Sequence, residues 1–222
     1  MILDQSENNK RIAKNTLLLY FRMFFTMAVT LYTSRVILKA LGVEDFGIYN
    51  VVAGIVTLFS FFSGALSSAA SRFISFELGS NNTSYLSKVF SAIFIIHLLF
   101  SVVVVCFAET IGLWVVNCKL TIPPERIFAA HVVYQFSVFS CIVGIMQIPL
   151  NAMIIAHERL GIYAYMSICE VIGKLSIAFV VTYCSFDHLI VYGMLLFSLV
   201  VILFVIYFIR SEEHTSELQS LV

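Results

Sequence analysis

The chain has 222 residues, of which 60% are hydrophobic and 12% charged, with 21 Phe against 3 Pro. Soluble domains carry about 25% charged and about 45–50% apolar residues, so a water-soluble fold would leave much of this apolar surface uncovered, and the bilayer is the natural solvent. Thirteen Lys and Arg balance 13 Asp and Glu with no basic stripe, which argues against nucleic acid as a partner, and disordered, collagenous and small disulfide-framework classes are excluded as well.

A helix crosses hydrocarbon in about 20 residues, and the chain divides into a predicted cytoplasmic segment, 1–15, followed by six such stretches over 16–209. The spans are expected at Thr16–Ala40, Phe46–Ala70, Val89–Val116, Ile127–Ala156, Gly161–Cys184 and Leu189–Ile209. Their continuous apolar character selects helices over barrel strands, which alternate. The fold class is therefore all-α, a polytopic membrane protein. The first run is too long for the apolar region of a signal peptide and meets a second run at once. Between them, Leu41-Gly42-Val43-Glu44-Asp45 offers a glycine to end one helix and an aspartate to cap the next.

Ser60, Gly64 and Ser68 form a small-residue packing face on the second span. In the third, His97 is either a proton site or a hydrogen-bonded core residue, and Glu109 lies toward the interface. Pro123-Pro124 opens the fourth span, where Pro149 predicts a kink. Gln147 and Asn151 flank it, and either satisfy freed carbonyls or line a pathway at the bend. Orientation follows from basic residues in short loops. Lys10, Arg11, Lys14, Arg72, Lys88 and Arg159 fall on one side, Lys39, Lys119 and Arg126 on the other, favouring a cytoplasmic N-terminus.

Charges within spans mark functional candidates, each costing about 2.5–3.5 kcal/mol at the bilayer centre. Arg22 lies about two turns inside the first span, where it either lines an inner cavity or snorkels to the headgroups. Arg35 lies roughly 140° around the same helix, on a face with Lys39. Glu170 and Lys174 sit mid-span at i,i+4, either as a structural ion pair or as a cation released when an anionic ligand arrives. Arg72 and Glu77 flank the cytoplasmic end of the second span as interface anchors. The five Cys form no CxxC pair or Cys/His cluster, and spacing alone gives Cys118 and Cys184 no geometry for a bridge. No hydrolytic, redox, phosphate-cradling or metal-binding motif is present, so neither an enzyme, a cofactor nor a metal site is expected.

Several runs together resemble a known family. Ser34 to Asn50, centred on Leu41-Gly42-Val43-Glu44-Asp45-Phe46-Gly47-Ile48-Tyr49, and Ser71 to Gly79 are similar to bacterial O-antigen and polysaccharide exporters. Pro149-Leu150-Asn151-Ala152, His157-Glu158-Arg159, Tyr163-Ala164 and Glu170 are similar to the same group, part of the multidrug/oligosaccharidyl-lipid/polysaccharide exporter superfamily. The resemblance implies one six-helix lobe of a two-lobed transporter, here the N-terminal one, that flips an undecaprenyl-pyrophosphate-linked oligosaccharide across the bacterial inner membrane. It further implies a cation-lined cavity to which Arg22, Arg35, Arg72 and Lys174 are available, with a polysaccharide polymerase and glycosyltransferases as neighbours in the pathway. Two other readings stay open: a cation-coupled multidrug exporter of the superfamily, which needs a deep carboxylate such as Glu170, and a non-transporting membrane assembly protein.

The last segment, 210–222, departs from this pattern. Arg210-Ser211-Glu212-Glu213-His214-Thr215-Ser216-Glu217-Leu218-Gln219-Ser220 resembles translated read-through of a sequencing-library adapter, so the native frame is expected to leave this sequence near Arg210 and to continue through about six more spans.

Overall fold

Long apolar stretches satisfy their backbone groups internally only by coiling, and the computed structural model is predominantly helical, with no strand among the described residues. It describes residues 2–80, 83–157 and 160–220. Side chains before residue 16 other than Ala13, those of Ser60, Thr83, Ser84 and Leu160, and those from residue 210 onward lie outside the description. The elements are α1 (Ile2–Thr57), α2 (Ser60–Gly79), α3 (Thr83–Phe107), α4 (Leu113–Cys118), α5 (Ile127–Ala156), α6 (Leu160–Thr182) and α7 (His188–Ser220). One π-helical turn, Ala108–Gly112, joins α3 to α4, and a 3-10 turn, Pro124–Arg126, leads into α5.

Among the described residues, five helical stretches are long and apolar enough to cross a membrane: Thr16–Thr57, Tyr85–Cys118, Pro124–Ala156, Gly161–Thr182 and His188–Ile209. Their outward surfaces agree with that solvent. Along α3, Ile95, Ile96, Leu98, Leu99, Val102 and Val103 are all exposed, an apolar face far too large for water.

The first stretch is broken at Gly42, whose φ of 77° and ψ of 171° leave the helical region. Only glycine adopts such a conformation without strain. Contacts on its two sides run in opposite senses. Before it, Arg22 meets Ser167 and Tyr32 meets Phe179, so α1 runs parallel to α6. After it, Asp45 meets Arg126 at the start of α5, and Thr57 faces the same cavity as Ile148 near the end of that helix. The turn therefore forms where the sequence predicts it. Asp45 does not cap: its carboxylate binds Arg126, which also binds Asp187, tying the Gly42 turn to the starts of α5 and α7. Asp187 is the residue that caps, its Oδ1 accepting from the amides of Leu189 and Ile190.

Two expectations are corrected. The second span is not one helix, since the chain turns at Leu58–Phe59 between α1 and α2. Glycine and serine are poor helix formers, and Gly54, Ser60 and Gly64 crowd that segment, where Thr57 Oγ1 bonds back to the Gly54 carbonyl. The small-residue face of α2 is also not its packing face. Gly64 and Ser68 are exposed, while Ala70 and Ile74 are buried in a cluster with Leu86, Ile93 and Ala152. α5 continues as one helix through Pro149. Gln147 makes no hydrogen bond to a freed carbonyl, and the Asn151 Oδ1 is buried without a partner. All five cysteines, Cys118 and Cys184 among them, are free.

The π turn is held by a specific contact. Tyr134 is fully buried and donates its hydroxyl proton to the Ala108 carbonyl at 2.7 Å, while a Cβ on Gly112 would sit 1.9 Å from the same oxygen. Gly112→Ala should therefore cost about 3 kcal/mol through overpacking, and Tyr134→Phe about 1 kcal/mol through the lost hydrogen bond, the Ala108 carbonyl keeping the Leu113 amide as a donor. The double variant should fall short of the sum. Thermal unfolding in detergent measures all three, and additivity would show that the contact does not form.

Candidate anion site and cavity

Most of the candidate chemistry converges on α6. Tyr163, Ser167, Glu170 and Lys174 recur at spacings of four, three and four residues, which places them within an arc of roughly 60° on one helix face. Arg22 of α1 docks at one end of this stripe. Its Nη1 donates to Ser167 Oγ at 3.1 Å, and its guanidinium carbon lies 4.7 Å from the centre of the Tyr163 ring. Ser167 can accept because its own proton goes to the Tyr163 carbonyl at 3.0 Å.

The guanidinium has no carboxylate partner among the described residues, and its Nε is buried with no hydrogen bond. A π face contributes up to about 2 kcal/mol to a desolvated cation. It does not neutralise the charge.

At the other end, Lys174 Nζ donates to Glu170 Oε1 at 2.6 Å, with both side chains about half exposed. The pair opens into a cavity of about 450 Å³ bounded by α1 beyond Gly42, α5, α6 and α7, with Ser63 of α2 at its margin. Ser137 and Ser140 on its α5 wall donate to the carbonyls of Val133 and Phe136. Their protons are thus engaged, and what they turn to the cavity is lone pairs. Tyr49, another lining residue, packs edge-on against Tyr192 at 4.8 Å. Tyr207 of α7 is buried in a cluster with Met166 of α6, and Tyr163 packs against that cluster.

The remaining predicted residues are not drawn into this group. Arg35 and Arg72 are exposed and make no ion pair or hydrogen bond among the described residues. Arg72 shares the exposed face of α2 with Ser68 and Ser75. His97 is a core residue: it is 2% exposed, its Nδ1 lies 2.7 Å from the Ile93 carbonyl, and its Nε2 is buried without a partner. Glu109, on the π turn, accepts from Gln135 Nε2 at 3.3 Å. Arg159 and Glu158 lie outside the described residues. Ser167 and Tyr207 were not singled out by sequence, and Tyr163 entered only through the family resemblance. Ser167 and Tyr163 carry a usable signal, the same i,i+3/i+4 phase as Glu170 and Lys174; Tyr207 carries none, because its place depends on how α7 docks.

The fold and site define an all-helical chain with five helices able to cross a membrane and an unneutralised guanidinium held against one of them. No family model, curated protein or solved structure matches this chain.

Proposed function

We propose that the chain is one lobe of a bacterial inner-membrane exporter that carries a lipid-linked oligosaccharide, with its pyrophosphate, from the cytoplasmic to the periplasmic leaflet. The observation that carries the reading is Arg22, a cation inside a span whose hydrogen-bond and ring partners among the described residues are a hydroxyl and an aromatic face. An arginine kept there without a carboxylate is arranged to meet an anion that arrives from elsewhere. The reversal at Gly42 supports six crossings, since it divides the Thr16–Thr57 stretch into an outgoing and a returning segment that α2 continues. The distribution of Lys and Arg supports a cytoplasmic N-terminus. The exposed polar face of α2, with Ser68, Arg72 and Ser75, suits a surface turned toward a second lobe and the cavity between lobes.

Coupling to a cation in the manner of a drug exporter is less well supported, because Glu170, the mid-span carboxylate it would use, is held by Lys174. The lobe is proposed to act with a second lobe encoded by the same native gene. Expression of the complete native reading frame in a strain lacking its own exporter tests the proposal. Restored surface polysaccharide is expected, and none at normal membrane abundance would contradict it.

A further inference from the structure

The stripe on α6 places one carboxylate between two cations. Ser167, which Arg22 grips, lies one helical turn before Glu170, and Lys174 lies one turn after it. Side chains at these spacings have Cβ atoms about 5–6 Å apart. A glutamate on this face therefore reaches either neighbour by a change of rotamer. In the present arrangement it is on Lys174, and Arg22 is left without a counter-ion among the described residues. Tyr207 of α7 is buried in the cluster that holds Met166, with Tyr163 packed against it, beside the Arg22 end of the stripe. The half-exposure of the Glu170 and Lys174 side chains leaves the carboxylate free to move.

We propose that Glu170 is an exchangeable counter-ion shared by Lys174 and Arg22, so that Lys174 holds the carboxylate away while a phosphate-type anion occupies Arg22. When Glu170 turns to Arg22 instead, it expels the anion there and frees Lys174 to face the cavity. The exchange gives the site both states a carrier needs, one that takes the anion and one that releases it, without any change in protonation. It rests on the reading of Arg22 as an anion site.

The test is binding of inorganic pyrophosphate to the purified protein in detergent, comparing wild type with Glu170→Gln, Lys174→Met, the double variant and Arg22→Gln. Removing the competing carboxylate should tighten binding about tenfold in Glu170→Gln, the effect of one nearby charge in a partly solvated site. Lys174→Met should weaken binding by a similar factor, because Glu170 then has only Arg22 to pair with. The double variant should regain the affinity of Glu170→Gln, and Arg22→Gln should lose binding. A merely structural ion pair would not give this pattern, in which one partner's loss tightens binding, the other's weakens it, and the second is cured by the first. Binding that ignores Glu170→Gln, or a double variant no better than Lys174→Met, overturns the exchange and leaves the anion site standing. Absence of pyrophosphate binding in wild type and all variants overturns both.

Discussion

Arg22→Ala should abolish most surface polysaccharide in the exporter-deficient strain complemented with the native gene, with the protein still present in the membrane at normal levels. A guanidinium binding phosphate oxygens through charge-assisted hydrogen bonds contributes about 2–3 kcal/mol, roughly 30- to 150-fold in affinity. Little protein structure is lost with it. Its contacts are one hydrogen bond to Ser167 and the Tyr163 face, and Ser167 stays bonded to its own helix. Arg22→Lys should retain part of the activity, since an ammonium keeps the charge but loses the planar fork. Tyr163→Leu should lower export less than Arg22→Ala, because it loosens the guanidinium without removing it. Normal export by Arg22→Ala at normal abundance would leave Arg22 as a residue that snorkels to the headgroups.

The largest loss of stability should come from Arg126→Ala. Arg126 alone ties three elements together at the end of the helices marked by the Gly42 turn, binding Asp45 and Asp187 at once. The Asp45 side chain is only 5% exposed and already has one oxygen, Oδ1, buried without a partner. Removing the guanidinium leaves that carboxylate buried and uncompensated, a change that costs about 3 kcal/mol. Arg126→Lys should recover part of the loss, because a single ammonium cannot satisfy two carboxylates in fork geometry. Adding Asp45→Asn to Arg126→Ala should also recover part of it, by removing the unpaired charge. Thermal unfolding in detergent followed through Trp114, the single tryptophan, reads these differences. An Arg126→Ala protein that melts with the wild type would show that the cluster contributes nothing.

Features that depend on neighbours in sequence were readable from it. Apolar run lengths located the helices, Gly42 marked the reversal, and the spacing of Glu170 and Lys174 predicted the bond that forms at 2.6 Å. Features set by docking between helices were not. Arg126 reads as a loop charge until the ends of α1, α5 and α7 meet, and Asp45 reads as a cap until a guanidinium competes for it. The faces of α2 misled for a related reason. Small residues predict packing only when a partner helix chooses that side, and α3 and α5 meet the side carrying Ala70 and Ile74. The π turn has no local signature at all, because it exists to let Tyr134 of a helix further along the chain reach the Ala108 carbonyl beside Gly112. In the candidate site the ion pair was legible, whereas the attachment of Arg22 to Ser167 and Tyr163 required two helices to run parallel in one particular register.

The central claim is that the complete protein moves a phosphate-linked glycan headgroup across a bilayer. Its most direct measurement is headgroup translocation in liposomes holding the purified product of the complete native gene. The vesicles contain a fluorescent undecaprenyl-pyrophosphate oligosaccharide, and a membrane-impermeant glycosidase removes whatever sugar reaches the outer leaflet. The account predicts that the enzyme cleaves about half of the labelled lipid in empty vesicles and nearly all of it in vesicles holding the wild-type protein, with Arg22→Ala returning the extent toward half. The same extent of cleavage in protein-containing and empty vesicles would contradict it.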